Sequence, residues 1–392
     1  MSPEYDFDRV IDRERTCSLK YDLCPVELGL YDVIPMWVAD MDFEVAPAIV
    51  EAVRKRAGHP VYGYPRIPDS YWEAIRHWLR TRHGWEVPRE WLSKSPGIVT
   101  ALNLCVQAFT RPGDGVVIQT PVYHPFYSAV ENNGRRIVGN PLRFESGRWT
   151  MDLENLAAAI DDRTRMLILC SPHNPVGRVW TRDELAKLGA ICVEHDLVVV
   201  SDEIHGDLVF GGRRHLPTAT VSPELAERTI TCLSPSKTFN IPGLFTSVVL
   251  SSSSRLLGLF DKQAERCGLT MGNVFGIAAL EAAYARGAEW LDRLLPYLEK
   301  NMDYAEKAFA ARIPLIRFLK PEGTYLALLD CRALGMPQKA LDDFFLKKAG
   351  VLFDEGPHFG EALAGFERMN LACPRSVLEK AIGRIERAVS SL

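Results

Sequence analysis

The sequence predicts an α/β fold with a large lobe and a smaller α+β lobe, and two observations lead to this prediction. From about Pro47 to Ala283, short β-branched runs alternate with amphipathic helical stretches, which is the pattern of βαβ units around a mostly parallel sheet. The chain has 392 residues, which is more than one compact core of ordinary size holds, so a second lobe is expected.

The clearest strands of the large lobe are predicted at 116–119, 166–170, 197–201 and 229–233. Between them, helices are predicted at 100–109, 125–132 and 182–194. The last of these helices has a capping-box signature, with Thr181 as N-cap and Glu184 three residues later.

The pattern divides the chain into three parts: a segment at 1–45, a large domain at 46–288 and a small domain at 289–392. The first segment is rich in Pro, Asp and aromatic residues, and we expect it to be irregular and to pack with the small domain. In the small domain the predicted elements are a charged helix to about Arg312, strands at 324–329 and 368–372, and helices at 338–348 and 376–390.

Composition argues against several classes of protein. A net charge of -4 with both signs interspersed provides no basic stripe for nucleic acid and no polybasic run for a membrane surface. The N-terminus lacks the order of a secretory signal and no apolar run reaches membrane-spanning length, so a cytoplasmic protein is expected. The nine cysteines are scattered without metal-ligand spacing, and we assign no metal site.

Polar, turn-forming segments follow three of the predicted strands, at 171–177, 201–205 and 234–240. Because the carboxyl ends of parallel strands share one edge of a sheet, these segments should meet at a ligand-binding crevice. A fourth segment, 95–100, opens a helix and can present free N–H groups to a phosphate.

Lys237 is the central candidate in this crevice. A lone lysine in a loop is usually a solvated surface charge. The hydroxyls of Ser234 and Ser236 lie beside this amine in the sequence, and burial would lower its pKa and free it as a nucleophile.

Four further residues each have a structural and a functional interpretation. Asp202 either caps a turn or stabilises a positive charge on a ring nitrogen. Asn174 either starts a turn before Pro175 or donates its amide to a ring oxygen, and Tyr123 either packs or stacks on a flat heteroaromatic ring. Arg368 makes either a surface salt bridge that contributes little to stability or a rigid bidentate contact with a substrate carboxylate.

Motifs along nearly the whole chain carry a resemblance to a known family. They are 35–43 (Pro-Met-Trp-Val-Ala-Asp-Met-Asp-Phe), 62–65 (Tyr-Gly-Tyr-Pro), 120–123, 171–177, 202–205 (Asp-Glu-Ile-His), 236–240 and 368–375. Together they resemble fold-type I enzymes that depend on pyridoxal 5'-phosphate (PLP), in the class I/II aminotransferase superfamily. The motifs at 36–43 and 202–205 are most similar to the MalY/PatB-type cystathionine β-lyases, also called carbon-sulfur lyases. This resemblance implies a three-layer α/β/α large domain.

The resemblance also implies roles for the candidate residues. Lys237 would form the Schiff base with PLP, Asp202 would face the pyridine nitrogen, Asn174 the ring hydroxyl and Tyr123 the ring face, while Arg368 would bind the carboxylate of an amino-acid substrate. The phosphate would be bound by Ser234, Ser236, Tyr64 and the backbone N–H groups of Ile98, Val99 and Thr100.

The remaining implications concern the partner subunit and the substrate entrance. A homodimer is implied, in which Tyr64 of the partner subunit reaches the cofactor; the alternative for Tyr64 is a surface turn. Trp37 would line the substrate entrance or simply pack between the first segment and the small domain. His205 is expected in the cofactor site where aminotransferases usually have tyrosine, and Phe245 stands where they have arginine.

Three functions compete. The first is β-elimination of cystathionine or another cysteine S-conjugate to pyruvate, ammonia and a thiol. The second is an aminotransferase, which would use the same residues. The third is a regulatory binding partner, as some relatives of this subgroup are. Gly206 and Pro242 stand where the subgroup often has alanine, which leaves the substrate open.

Overall fold

The computed structural model of the protein describes residues 5–392. The strands are β1 (Ile34–Pro35), β2 (Leu92–Ser95), β3 (Gly115–Thr120), β4 (Arg136–Pro141), β5 (Arg143–Glu145), β6 (Arg148–Thr150), β7 (Thr164–Cys170), β8 (Val198–Asp202), β9 (Thr229–Leu233), β10 (Ser247–Leu250), β11 (Arg317–Leu319), β12 (Leu326–Asp330), β13 (Val351–Leu352), β14 (Asp354–Glu355) and β15 (Phe366–Asn370). The helices are α1 (Leu19–Leu23), α2 (Pro47–Ala57), α3 (Asp69–His83), α4 (Ile98–Phe109), α5 (Pro125–Glu131), α6 (Leu153–Ala159), α7 (Arg182–Glu194), α8 (Pro223–Ala226), α9 (Pro235–Thr238), α10 (Ser254–Arg266), α11 (Val274–Arg286), α12 (Ala288–Arg312), α13 (Gln338–Asp343) and α14 (Arg375–Val389).

Seven strands form the central sheet, in the order β2-β10-β9-β8-β7-β3-β4. Strand β10 is antiparallel to both of its neighbours, and the other pairs are parallel. All four strands predicted for the large lobe belong to this sheet, and β9 has the predicted bounds. The predicted α7 is also confirmed, with its capping box: the Glu184 N–H donates to Thr181 Oγ1 over 3.2 Å.

Both faces of the sheet are buried, as the β-branched runs require. Alternate residues of β7 point to opposite sides: Met166 and Ile168 join a core with α4, α5 and α10, whereas Leu167 and Leu169 join a core with α7. The large lobe therefore has the three layers that the resemblance implied.

The small lobe contains a four-stranded antiparallel sheet in the order β11-β12-β15-β14, with α12, α13 and α14 near it. The bounds of the two predicted strands differ from those observed. Strand β12 (Leu326–Asp330) begins two residues later and ends one residue later than predicted, and β15 (Phe366–Asn370) lies two residues earlier. The predicted helix at 338–348 is α13 followed by a π-helical turn, Phe344–Ala349. Among residues 5–392, no helix combines the length and apolar character needed to cross a membrane.

The N-terminal segment contacts both lobes and includes some regular structure. Strand β1 pairs in parallel with β13. The Asn370 side-chain amide donates to the carbonyl oxygens of Val38 and Asp40, both over 2.7 Å. From the large lobe, Asn240 donates to Met41 O over 3.0 Å. The segment thus runs across the junction of the lobes, at the carboxyl edge of the central sheet where Lys237 lies.

Candidate active site

The carboxyl ends of β7, β8 and β9 lie side by side and open into a cavity of about 480 Å³. Ten of the predicted site residues line it: Ile98, Val99, Thr100, Tyr123, Asn174, Asp202, His205, Ser234, Ser236 and Lys237. The prediction that the segments after these strands meet in one crevice is therefore confirmed. They meet because the three strands are parallel and adjacent, which places their C-terminal loops together.

Lys237 lies in α9, a helix of one turn that directly follows β9. Its Nζ donates a hydrogen bond to the main-chain oxygen of Ala39, 2.6 Å away. Burial, together with the charge of Arg368, lowers the pKa of this amine to about 8, although Asp40 and Asp202 act in the opposite direction. Near neutral pH a fraction of the amine is therefore uncharged and nucleophilic.

Asp202 ends β8 as a buried carboxylate facing the cavity. Its Oδ1 accepts the Ile204 N–H over 3.1 Å, and no other hydrogen bond to this carboxylate is found among residues 5–392. Burial raises its pKa to about 7, and that hydrogen bond only partly offsets the rise. A cationic group in the cavity beside Asp202 would stabilise its ionised form.

The phosphate-binding region predicted from the sequence begins at the N-terminus of α4. Here Gly97 is the N-cap residue, and the first intrahelical hydrogen bond is donated by Ala101. The N–H groups of Ile98, Val99 and Thr100 therefore lack acceptors in the described part of the chain. Ser234 and Ser236 line the same cavity, and their hydroxyl oxygens are 2.9 Å apart. A phosphate dianion can accept hydrogen bonds from free N–H groups at a helix N-terminus and from hydroxyl groups in the same cavity.

His205 and Tyr123 supply the aromatic part of the cavity wall. Burial, with the charges of Lys237 and Arg368, holds the pKa of His205 well below its usual range, so the imidazole is neutral. Its Nδ1 is buried without a hydrogen-bond partner among residues 5–392. The Tyr123 N–H donates to Asn174 O over 3.2 Å, which joins the segments after β3 and β7.

Arg368 connects the small-lobe sheet to this cavity. The guanidinium is buried in β15, and its Nη1 donates to Asn174 Oδ1 over 3.1 Å. Its Nη2 donates to Asp354 Oδ2 over 2.5 Å and to Trp37 O over 3.0 Å. Its Nε is buried and has no hydrogen-bond partner within the described residues.

Three predicted residues do not line the cavity, and the first, Arg368, contacts its wall through Asn174. Tyr64 is 91% exposed and does not line the cavity of its own chain. The Trp37 side chain does not line the cavity either: its indole N–H donates to Lys20 O over 3.2 Å, and its contact with Arg368 is made by the main chain. Phe245, which stands at the usual arginine position, does line the cavity and is 66% exposed.

Sequence reasoning missed two partners of the site. Ala39 acts through its carbonyl, so its side-chain type gave no signal. Asp354 lies directly opposite Arg368 in the antiparallel register of β14 and β15. The signal that could have revealed it is the first of two acidic residues after the apolar run 351–353, in a stretch whose pattern is typical of a strand.

The donors and charges of the cavity fit PLP, whose phosphate, ring nitrogen, ring hydroxyl and aldehyde need an anion site, a carboxylate, an amide and an amine. The open N–H groups of α4, Asp202, Asn174 and Lys237 supply these in one cavity. Fold and site together define the class of fold-type I PLP-dependent proteins.

The family model of class I and II aminotransferases matches residues 31–385, and the chain belongs to this family. Within it the chain is of the MalY/PatB type. It is 43% identical to cystathionine beta-lyase PatB of Bacillus subtilis, over 98% of this chain and 100% of PatB. It is 36% identical to protein MalY of Escherichia coli, over 99% of this chain and 100% of MalY. These matches confirm the family that the motifs predicted.

A solved structure agrees with this assignment. Cystalysin from Treponema denticola, whose structure contains a pyridoxal 5'-phosphate cofactor, superposes with a TM-score of 0.95. The two chains are 37% identical, over 99% of this chain and 100% of that one. The predicted fold class is thereby confirmed.

Proposed function

We propose that the protein is a PLP-dependent carbon-sulfur β-lyase that cleaves cystathionine or another cysteine S-conjugate. The observation that carries the proposal is a lysine amine with a pKa of about 8 in the same cavity as a buried carboxylate. A buried arginine, Arg368, donates to Asn174 of the cavity wall. The name of PatB, a cystathionine beta-lyase that is 43% identical over its full length, supports the reaction type over transamination.

The reaction breaks the Cα–H and Cβ–S bonds of the substrate, and one water then replaces the amino group at Cα, giving a thiol, pyruvate and ammonia. When bound, PLP supplies a protonated ring that takes up the electron pair left at Cα. The residues that hold PLP are Lys237, Asp202, Asn174, Tyr123, His205, Ser234, Ser236 and the N–H groups of Ile98, Val99 and Thr100.

Arg368 orients the substrate by binding its α-carboxylate. The guanidinium can do this rigidly because Asp354 and the Trp37 carbonyl already hold one side of it. Asn174, which accepts from Arg368, ties the carboxylate end to the part of the cavity that contains Asp202. A carboxylate fixed in this way leaves the substrate few orientations, which lowers the entropic barrier.

Lys237 transfers the proton. An amine whose pKa lies near working pH is uncharged often enough to accept the Cα proton and is basic enough to retain it. Asp202, ionised beside a cation, keeps the ring nitrogen protonated and so makes the Cα proton more acidic. The same two residues would serve an aminotransferase, in which the proton returns to the cofactor and an oxo acid takes the amino group.

The experiment that separates the two reactions is incubation of the purified holoenzyme with cystathionine and no oxo acid. We expect pyruvate and free thiol to accumulate over many turnovers, and Lys237→Ala to abolish both. Product limited to one equivalent per site, and restored by an added oxo acid, would assign an aminotransferase instead. Borohydride reduction and peptide mapping of the holoenzyme should place the adduct on Lys237.

The proposal includes a cytoplasmic homodimer with shared sites. Its support is the exposure of Tyr64 together with neighbouring apolar side chains, Val61 and Tyr62, and of Phe245 at the cavity. Free thiols at all nine cysteines agree with a reducing compartment. The three-part division at 1–45, 46–288 and 289–392 is part of the same proposal.

A further inference from the structure

A buried polar cluster lies next to the cavity residues but outside the cavity lining. At its centre is Asp207, five residues after Asp202 in the same loop. Its carboxylate accepts hydrogen bonds from three donors: Thr238 Oγ1 at 2.8 Å, His83 Nε2 at 2.9 Å, and Trp78 Nε1, which lies 3.1 and 3.2 Å from the two oxygens. None of these residues lines the cavity that contains Lys237.

We propose that Asp207 is a positioning residue: through the Thr238 hydroxyl it fixes the Lys237 amine relative to Asp202. This inference deepens the proposed function and rests on it, because it takes Lys237 as the lysine that binds PLP.

The need for such an anchor follows from the size of α9. A helix of four residues forms one turn, and one turn has no stability of its own because nucleation costs more than a single hydrogen bond returns. Its position must therefore come from side-chain contacts. Ser234 anchors its start, accepting the Ser236 N–H over 3.1 Å and donating to Thr246 O over 2.8 Å. Thr238, fully buried, anchors its end on Asp207.

An anchor works only if it is itself fixed, and the loop that carries Asp207 is fixed by a second carboxylate. Glu203 accepts from Ser201 Oγ at 2.8 Å, from the Thr218 N–H at 2.9 Å and from His215 Nε2 at 2.7 Å, with all four residues buried. The loop thus leaves β8 with Asp202 facing the cavity and with Glu203 and then Asp207 bound behind it.

The two carboxylates are joined through their histidines. The rings of His83 and His215 meet edge to face, with centroids 5.6 Å apart. His83 ends α3, so Asp207 also links this loop to a helix of the large lobe. Bonds from His83 and Thr238 hold the pKa of Asp207 below its usual range despite burial, so the carboxylate is ionised and its bond to the Thr238 hydroxyl is charge-assisted.

The test replaces Thr238 by valine, which keeps the shape and removes the hydroxyl, and by serine, which keeps the hydroxyl. Thr229→Val is the matched control, since Thr229 is equally buried, makes one hydroxyl hydrogen bond and lies at the far end of β9. For each holoenzyme we would measure kcat, KM, the pKa of the visible absorption band of the lysine–PLP adduct, and the midpoint of urea unfolding.

We expect Thr238→Val to lower kcat by about tenfold or more with KM nearly unchanged, because the amine is misplaced while Arg368 still binds the carboxylate. The absorption pKa should move away from the wild-type value. Thr238→Ser should have the wild-type kcat and absorption pKa. Thr229→Val should change neither kcat nor the absorption pKa, even if it lowers stability.

Equal kcat and absorption pKa in Thr238→Val and the wild type would overturn the proposal, as would a loss of kcat that serine fails to restore. Should the valine variant not fold, Asp207→Asn is the second test, and wild-type values of kcat and absorption pKa in it would also overturn the proposal. An adduct mapped to a lysine other than Lys237 in the wild-type protein would instead refute the proposed function itself.

Discussion

The Nζ of Lys237 and the carbonyl oxygen of Ala39 lie 2.6 Å apart, although the two residues are separated by 198 positions in the chain. The Tyr325 hydroxyl donates to the same oxygen over 3.0 Å. The N-terminal segment is therefore part of the lysine site: it supplies the acceptor for the amine, while the Trp37 carbonyl, two residues earlier, receives Arg368.

The pH dependence of stability should reveal Asp202 and Lys237 in the protein without cofactor. The pKa of Asp202 is about 4 in the unfolded chain and about 7 in the folded protein. Between these pH values the folded protein keeps this proton and the unfolded chain has lost it, so the apoprotein loses stability as pH rises. The pKa of Lys237 is about 8 in the folded protein and about 10.4 in the unfolded chain. Between these pH values the folded protein has lost this proton and the unfolded chain keeps it, so the stability of the apoprotein rises with pH.

The apoprotein should therefore be least stable between about pH 7 and 8. PLP should raise the urea midpoint most there, because it supplies a cation beside Asp202 and takes up the amine of Lys237. Urea unfolding of apoprotein and holoenzyme at pH 5, 7.5 and 10 measures this difference. Asp202→Asn should reduce the fall in apoprotein stability between about pH 4 and 7. A fall as steep in that variant as in the wild type would contradict the pKa assignment.

Asp354 should control substrate binding by holding Arg368. Asp354→Asn removes the charge that neutralises a buried guanidinium, which typically costs about 3 kcal/mol of stability when one partner of a buried pair is lost. A less rigid guanidinium should raise KM by about tenfold with a smaller change in kcat.

The control for this variant is His358→Gln, because His358 contacts the other oxygen of Asp354 and is largely exposed. It leaves the Asp354–Arg368 pair intact, so its KM should stay within about twofold of the wild-type value. Steady-state kinetics and urea unfolding decide the matter, and an unchanged KM in Asp354→Asn would refute this role.

Gly206 should resist the alanine that the subgroup often carries. A Cβ at this position would lie 2.9 Å from Cδ2 of His215 and 3.1 Å from the carbonyl oxygen of Glu203. His215 is buried and bonded to Glu203, so it has little room to yield. Gly206→Ala should therefore cost about 1 to 3 kcal/mol, measured by urea unfolding.

Gly258→Ala is the matched control, because a Cβ there meets no atom within 4 Å and the position lies inside α10. That variant should be up to about 1 kcal/mol more stable than the wild type. If both alanine variants were equally stable, the contact of Gly206 with His215 would not limit the side chain here.

A homodimer with shared sites predicts complementation between two inactive variants. Lys237→Ala removes the amine from one subunit, and Tyr64→Ala removes the side chain that the resemblance assigns to the neighbouring site. In a mixed dimer, one site would lack both the Lys237 amine and the Tyr64 side chain, and the other site would have both of them. Mixing the variants under conditions that exchange subunits should raise activity above that of either variant alone. Activity equal to their average would place Tyr64 outside the partner's site.

Several parts of the fold could be read from local patterns because local forces decide them. The bounds of β9 and of α7 with its Thr181–Glu184 cap depend on a few consecutive residues. The antiparallel β10 was missed, because three consecutive apolar residues are a weak signal for a strand and do not reveal its direction. The bounds of β12 and β15 were wrong by one or two residues because pairing between strands sets their ends.

In the candidate site, too, local sequence patterns predicted some features and the tertiary structure decided the others. Lys237, Asp202 and Asn174 could be predicted to meet because each follows a strand of one parallel sheet, and the motifs around them indicated the family. The tertiary structure decided which groups act on them. The Ala39 carbonyl, Asp354 and the Asp207–Thr238 contact come from segments far apart in the chain, and no local spacing predicts them. Burial in that folded cavity, which no single segment creates, is also what moves the pKa of Lys237 and Asp202 toward neutrality.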